Sequence, residues 1–214
     1  MPNGPLSLPA RLCLLAWDTD PGRLAPLVRA GALAELARRG LLTDDDGIVT
    51  PRDLDTRTGA PVLDGLLELV SESFPHRWRG WVTLHARHTL EAVREQLVAE
   101  GVLRAEKHRV LGVFPSVDHV LADTARADAL RREARLILAG SAPAESVTEP
   151  TATALALVTA AGLPPARDDS FHDRRAAAPT RRAGASTPAV DAVLDELCAA
   201  LADMSPLPSL TRGR

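Results

Sequence analysis

The sequence predicts a mainly α-helical, single compact domain from which two β-hairpins project. Alanine, leucine and arginine dominate a chain of 214 residues that has no tyrosine and only 3% aromatic residues, and this composition favours helices over a β-sandwich. A unit of helix, glycine and hairpin occurs twice, with Gly40 and Gly101 lying 61 positions apart. The apolar fraction of 45% is sufficient for one sizeable core.

Helices are predicted where apolar residues recur at three- and four-residue spacing and a capping residue, glycine or proline marks an end. These stretches are residues 6–17, 24–36, 61–71, 85–100, 125–139, 148–161 and 189–204. The first hairpin, LLTDDDGIVT, is predicted to turn at Asp46-Gly47, a typical hairpin dipeptide. The second hairpin is GVLRAEKHRVLGVF, which begins at Gly101.

Changes in amino-acid composition along the chain indicate three segments. Residues 1–163 are predicted to form the domain core, residues 164–188 a mobile connector, and residues 189–204 a C-terminal helix that packs back on the core. The two cysteines, Cys13 and Cys198, have no metal-binding spacing, so we expect no metal, no cofactor and a reduced, cytoplasmic setting. The apolar run LCLLAW is too short to span a bilayer, and no signal peptide is expected.

The net charge and the absence of known catalytic motifs argue against several classes of function. The formal net charge is −3, which gives no general reason to expect a nucleic acid as partner. The sequence contains no nucleophile elbow, phosphate-binding loop, dinucleotide fingerprint or zinc-protease motif, so no enzyme is expected.

The acidic run Asp44–Gly47 invites comparison with a calcium loop. Placing Gly47 at the glycine position of such a loop puts Leu42 at the first ligand and Asp53 at the closing glutamate, so two ligands fail. A solvated hairpin turn is the preferred interpretation. His85 and His88, three residues apart at a helix start, are candidates for an anion or metal site, with surface or packing histidines as the alternative.

The segment HRWRGW interleaves two arginines with two indoles. Arg77, Trp78, Arg79 and Trp81 therefore form a candidate membrane contact, because indoles suit the depth of lipid headgroups and guanidinium groups bind phosphate. The alternative is that the tryptophans fill the core.

Several blocks of the sequence resemble the Golgi phosphoprotein 3 family, in its short bacterial form. They are LPARLCLLAW, LVRAGALAELARRGLL, REQLVAEGVL and the late helices, which occur in the same order over roughly residues 6–162. The resemblance implies a mostly α-helical, non-enzymatic domain without cofactors. It also implies peripheral association with cytosolic membrane faces, those of the Golgi in eukaryotic relatives, through phosphatidylinositol 4-phosphate.

The resemblance also implies a set of headgroup-binding residues. One family arginine corresponds to Arg29, and the first member of a basic pair falls on Arg87. The second member falls on Leu90, so the basic pair is incomplete here unless His88 or Arg94 substitutes. Trp17 is the candidate for the family's site tryptophan, although its loop is shorter.

The family hairpin that serves self-association is similar to residues 101–114, and here its expected contacts are Val110, Leu111, Val113 and Phe114. A hairpin that merely caps the core is the alternative. Three functions follow: a module that binds an anionic phospholipid at a membrane surface, a scaffold that forms oligomers without lipid, or a winged-helix DNA binder. The three aspartates at the first hairpin tip disfavour DNA because they would repel phosphate.

Overall fold

The computed structural model describes residues 4–53, 55–110, 114–143, 146–163 and 188–204. These residues form the helices and the two hairpins that the sequence predicts, and α4 is an additional short helix between the third and fifth. The elements are α1 (Leu8–Leu15), α2 (Pro21–Arg38), β1 (Leu42–Asp45), β2 (Ile48–Pro51), α3 (Pro61–Glu72), α4 (Trp78–Thr83), α5 (Ala86–Ala99), β3 (Leu103–Val110), β4 (Phe114–Leu121), α6 (Thr124–Leu138), α7 (Glu149–Ala160) and α8 (Pro188–Met204).

Helix α2 is the centre of the fold and packs against α1, α3, α4, α5, α7 and α8. Gly31 permits the close crossing of α1, because a Cβ at this position would lie 2.3 Å from Leu12 Cδ1. Glu35, although buried, is paired with Arg39 and accepts the N–H of Leu8 at 2.8 Å. A carboxylate at the N-terminal turn of α1 interacts favourably with the helix dipole and ties α1 to α2.

The two helix–glycine–hairpin units end their helices in the same way. Gly40 and Gly101 both adopt left-handed backbone angles, with φ of 69° and 74°. In each unit the residue after the glycine donates its N–H to a carbonyl five residues earlier, at 2.9 Å: Leu41 to Leu36 and Val102 to Leu97. This arrangement satisfies helix carbonyls that would otherwise lack a partner and directs the chain into the strand.

Both hairpins are antiparallel pairs. Asp46 and Gly47 form a two-residue turn with φ of 51° and 82°, as the Asp-Gly dipeptide predicts. The second hairpin pairs β3 with β4 from Leu103↔Leu121 to Val110↔Phe114.

The C-terminal helix α8 packs against α2, α4 and α7. An ion pair of 2.8 Å joins Asp203 of α8 to Arg79 of α4. Apart from Pro188, the connector predicted for residues 164–188 lies outside the described residues, and so do residues 205–214. The described chain contains no helix that is both long enough and apolar enough to span a membrane.

Candidate functional site

Arg29 is the most unusual charged residue of the core. It lies on α2 with only 1% of its surface exposed. Its Nη2 donates to the carbonyl oxygen of His85 at 2.7 Å, whereas Nε and Nη1 have no hydrogen-bond partner among the described residues. Burial lowers the pKa of Arg29 to about 10, so the side chain still carries its charge at neutral pH.

His85 connects α4 to α5 through an uncommon backbone conformation. It is the N-cap of α5, with φ of 53° and ψ of 27° in the left-handed region. This region is unfavourable for residues other than glycine, although histidine occupies it more often than most. The His85 carbonyl accepts hydrogen bonds from both Arg29 and the His88 N–H, the latter at 3.0 Å, and these bonds hold the turn in place.

The first turn of α5, His85–His88, presents a basic surface, and we call it the α5 N-terminal turn. His85, Arg87 and His88 are exposed, and the two imidazole rings stack with centroids 5.4 Å apart and planes 2° from parallel. No ion pair of Arg87 exists within the described residues. Because α5 is 14 residues long, its first turn adds backbone N–H groups and the positive end of a helix dipole.

The electrostatic potential at this turn depends on the charged groups next to it. The buried, charged guanidinium of Arg29 contacts its backbone from inside the fold. The nearest carboxylate along α5, Glu91, is already bonded to Arg94 at 2.9 Å. Neither Arg29 nor Arg87 forms an ion pair within the described residues, and this arrangement suits an anion that approaches from solvent.

Trp17 follows α1 in the chain and lies against α5 at a distance from this turn. Its ring is half-buried beneath Arg94, whose Cζ is 5.9 Å from the ring centroid. Arg94 follows His88 by six residues, which places it roughly 9 Å farther along the helix axis. Leu90, where the resemblance places a second basic residue, is buried at 1% exposure. Arg29 of α2 thus contacts the turn that bears Arg87 and His88, whereas Trp17 lies against Arg94.

The sequence profile of the Golgi phosphoprotein 3 (GPP34) family matches residues 8–202, nearly the whole chain. The chain belongs to the Golgi phosphoprotein 3 family. No curated protein sequence matches it significantly. The matched range begins at the first residue of α1 and ends within α8, and it includes Arg29 and the α5 N-terminal turn.

In this Golgi phosphoprotein 3 family member, the expected membrane contact of two tryptophans is wrong. Trp78 and Trp81 are 1% and 0% exposed, because α4 packs between α2 and α8 and turns both indoles inward. The Trp78 Nε1 donates to Asp44 Oδ2 at 2.5 Å. Arg77 and Arg79 are exposed, so their membrane contact stays a prediction, with Arg79 paired to Asp203.

The acidic turn of the first hairpin has a structural role. Asp44 Oδ1 accepts the Gly47 N–H at 2.7 Å, while Oδ2 accepts the indole N–H of Trp78. Both carboxylate oxygens are thus bonded within the protein. Across the parts of the chain that the structure describes, no group of three or more His, Cys, Asp or Glu residues is placed to hold a metal ion.

The residues expected to mediate self-association are only partly described. Val110 and Phe114 are paired at the end of the second hairpin, and Leu111 and Val113 lie outside the described residues. This assignment stays a prediction. The sequence did not place His85 among the headgroup-binding residues. His85 contacts Arg29 through its backbone carbonyl, and a backbone contact cannot be recognised from the residue type.

Proposed function

We propose that this protein is a non-enzymatic, peripheral membrane protein that binds the phosphate of an anionic phospholipid headgroup at the α5 N-terminal turn. Phosphatidylinositol 4-phosphate is the headgroup that the family resemblance implies. One observation carries the proposal: a buried arginine, Arg29, keeps two guanidinium nitrogens, Nε and Nη1, without a partner among the described residues, directly behind an exposed turn that bears Arg87 and two histidines.

The energetics of Arg29 support a functional reason for its presence. Lowering the pKa of an arginine from 12.5 to about 10 corresponds to about 3 kcal/mol of lost stability, at 1.36 kcal/mol per pKa unit. A leucine or methionine at this position would avoid the desolvation. Buried charges without full compensation are concentrated at functional sites, where an electrostatic role outweighs their effect on stability.

Each residue has a distinct role in this proposal. Arg87 meets the phosphate directly, because an exposed guanidinium forms paired, charge-assisted hydrogen bonds with phosphate oxygens. The imidazole of His88 and the backbone N–H groups that precede His88 in the turn supply further donors, whereas the His88 N–H is bonded to the His85 carbonyl. Arg29 is a positioning residue: it fixes the His85 carbonyl and adds positive potential from beneath. Trp17 and Arg94 lie outside this arrangement.

Vesicle co-sedimentation tests the proposal. We expect binding to phosphatidylcholine vesicles that contain phosphatidylinositol 4-phosphate and little binding to phosphatidylcholine alone. Loss of the Arg87 bonds should weaken binding roughly tenfold or more in Arg87→Ala, taking about 1.5–3 kcal/mol for a charged hydrogen bond. Arg132→Ala, which removes an exposed arginine from α6, is the matched control and should bind normally. Equal binding to both kinds of vesicle would contradict the proposal, and so would an Arg87→Ala variant that binds like its parent.

Vesicles of phosphatidylcholine and phosphatidylserine form a third arm. If the α5 N-terminal turn recognises a phosphate monoester, the protein should bind vesicles with phosphatidylinositol 4-phosphate more tightly than vesicles with phosphatidylserine of equal surface charge. If it recognises negative charge alone, the two anionic vesicles should bind alike, at about 1 kcal/mol for each basic residue near the surface.

A second candidate function is self-association through the hairpin of β3 and β4. In the described chain these strands pair only with each other, which leaves the outer edge of each without a partner strand. Exposed strand edges are ready templates for pairing with another chain. Light scattering on Phe114→Asp tests this. A lower mass with vesicle binding retained would support self-association through the hairpin, and an unchanged mass would contradict it.

A further inference from the structure

The most exposed large apolar side chain of the described residues is Phe74, at 87%. It lies between α3 and α4, in a loop that we call the Phe74 loop, residues 73–77. A single exposed apolar side chain is ordinary on a protein surface. Phe74 differs because the loop around it is attached to the fold at its C-terminal side and exposes the ring to solvent.

Backbone contacts fix the C-terminal side of the loop. The His76 carbonyl accepts the Val49 N–H at 3.0 Å, and Arg77 forms a β-bridge with Ile48. The His76 ring also meets the buried Trp81 ring edge-on, with centroids 5.3 Å apart. The loop is therefore attached to the first hairpin and to the core, although its own side chains are exposed.

The proline after Phe74 restricts the loop further. A residue that precedes proline is confined to extended conformations, because the proline ring clashes with a helical neighbour. This preference disfavours a helical backbone at Phe74, in agreement with the end of α3 at Glu72. The backbone contacts of His76 and Arg77 order the chain beside the ring, so less backbone entropy is lost if the ring enters a partner phase.

Charged side chains of both signs lie beside the ring. Pro75, His76 and Arg77 are exposed on its C-terminal side, and Glu72 on its N-terminal side. Arg77 also lies at the acidic turn, since its Nη1 is 3.3 Å from the position of a Cβ on Gly47, and there it offsets part of the charge of the three aspartates. The α5 N-terminal turn begins at the other end of α4, whose six residues span roughly 9 Å. Both features fit within the footprint of one protein on a bilayer.

We propose that Phe74 is the membrane-inserting side chain of this protein and enters the boundary between headgroups and acyl chains beside the lipid bound at the α5 N-terminal turn. This rests on the proposed lipid-binding function. A bilayer is favoured over a protein partner because a projecting ring needs a matching cavity in a protein, whereas a fluid bilayer accepts it anywhere. The ring supplies apolar affinity that does not depend on lipid charge, as interfacial aromatic residues do.

A fluorescent label at position 74 tests this directly. Phe74→Cys is labelled with a nitrobenzoxadiazole thiol reagent at neutral pH, where Cys13 and Cys198 stay unreactive since burial raises their pKa to about 12 and 11. Vesicles of phosphatidylcholine with phosphatidylinositol 4-phosphate should shift the emission to the blue and raise it. Leu136→Cys on α6, 55% exposed in the parent, is the matched control and should not respond.

Binding measurements separate the two proposals. Phe74→Ser should weaken binding to these vesicles by about tenfold or more, the scale for burying a phenylalanine ring. Phe74→Leu should restore most of it, and both variants should bind soluble glycerophosphoinositol 4-phosphate like the parent.

Three results would overturn the inference. A label at position 74 that stays in water while the vesicles sediment the protein would remove the inserting residue and leave headgroup binding standing. A Phe74→Ser variant with a smaller mass by light scattering would show that a second copy covers the ring. Failure of the parent to sediment with any vesicle would remove both proposals.

Discussion

Arg29 on α2 donates a hydrogen bond of 2.7 Å to the carbonyl oxygen of His85, the residue that begins the turn into α5. The bond joins a buried charge to a left-handed backbone conformation and to an exposed basic surface. Arg29 should therefore have two effects that can be measured separately. It should lower the stability of the fold, and it should support the geometry of the candidate site.

Replacing Arg29 with methionine should therefore stabilise the protein and weaken its membrane binding. The free energy of unfolding should rise by about 1–3 kcal/mol, because an apolar side chain of similar length removes the desolvated charge. Urea denaturation measures the first effect and vesicle co-sedimentation the second. Arg94→Met is the control: Arg94 is paired with Glu91 and lies over Trp17, so its loss should not stabilise the fold.

The effect of Arg29 on stability should also depend on pH in a defined direction. Its pKa is about 10 in the folded chain and has its ordinary value of 12.5 in the unfolded chain, so the destabilisation is constant below pH 10. Above pH 10 the folded protein releases a proton that the unfolded chain still holds, and the penalty declines. The stability gain of Arg29→Met should accordingly be similar at pH 7 and pH 9, and a gain confined to one of them would contradict this explanation.

The two cysteines should resist alkylation while the protein is folded. Burial raises the pKa of Cys13 to about 12 and that of Cys198 to about 11, so few thiolates exist at pH 8. Mass spectrometry after iodoacetamide treatment should show little modification of folded protein and two adducts in urea. Since the unfolded thiols ionise near pH 9 and the folded ones do not, stability should fall as pH rises above 9. Rapid, complete modification of folded protein at pH 8 would contradict the burial.

Trp78 and Asp44 should be energetically coupled. The indole N–H bonds to the carboxylate at 2.5 Å, and a hydrogen bond to a charged group contributes roughly 1.5–3 kcal/mol. A double-mutant cycle with Trp78→Phe and Asp44→Ala, followed by urea denaturation, should give a coupling of about 1 kcal/mol or more. The same cycle with Asp45→Ala, an exposed neighbour in the turn, should give a coupling near zero.

Two glycines should respond oppositely to alanine. Gly101 adopts a φ of 74° at the end of α5, where a Cβ is strained, so Gly101→Ala should lose roughly 1 kcal/mol of stability. Gly65 is exposed within α3, and no atom lies within 4 Å of the point that a Cβ would occupy, so Gly65→Ala should gain about 0.5–1 kcal/mol. Thermal unfolding of both variants checks the pair, and equal shifts in Tm would contradict the assignment of Gly101 as a helix-ending residue.

Local patterns predicted most of the fold. Gly40 and Gly101 marked two helix ends, and Asp46-Gly47 marked a hairpin turn, because each of these features depends on the backbone preferences of a few adjacent residues. The buried face of the final helix was also predictable, since Val193, Leu197 and Leu201 recur at helical spacing and all three are buried.

The candidate site was harder to predict because it depends on contacts between residues that are distant in the sequence. The segment HRWRGW has the composition of a membrane boundary, yet α8, more than a hundred positions farther along the chain, helps to bury Trp78 and Trp81. Phe74 could not be singled out because one aromatic residue in a loop has no periodicity to reveal its exposure. The resemblance singled out Arg29, but nothing in the local sequence indicated that its guanidinium would be buried and bonded to a backbone carbonyl.

The most direct test of the central claim is a nuclear magnetic resonance titration of the full chain with soluble glycerophosphoinositol 4-phosphate. We expect saturable shifts of the backbone amides of residues 85–88 and of the Arg29 Nε–H, with little change at the Trp17 indole. Saturable shifts centred on Trp17 and Arg94, or the absence of any saturable shift, would contradict it.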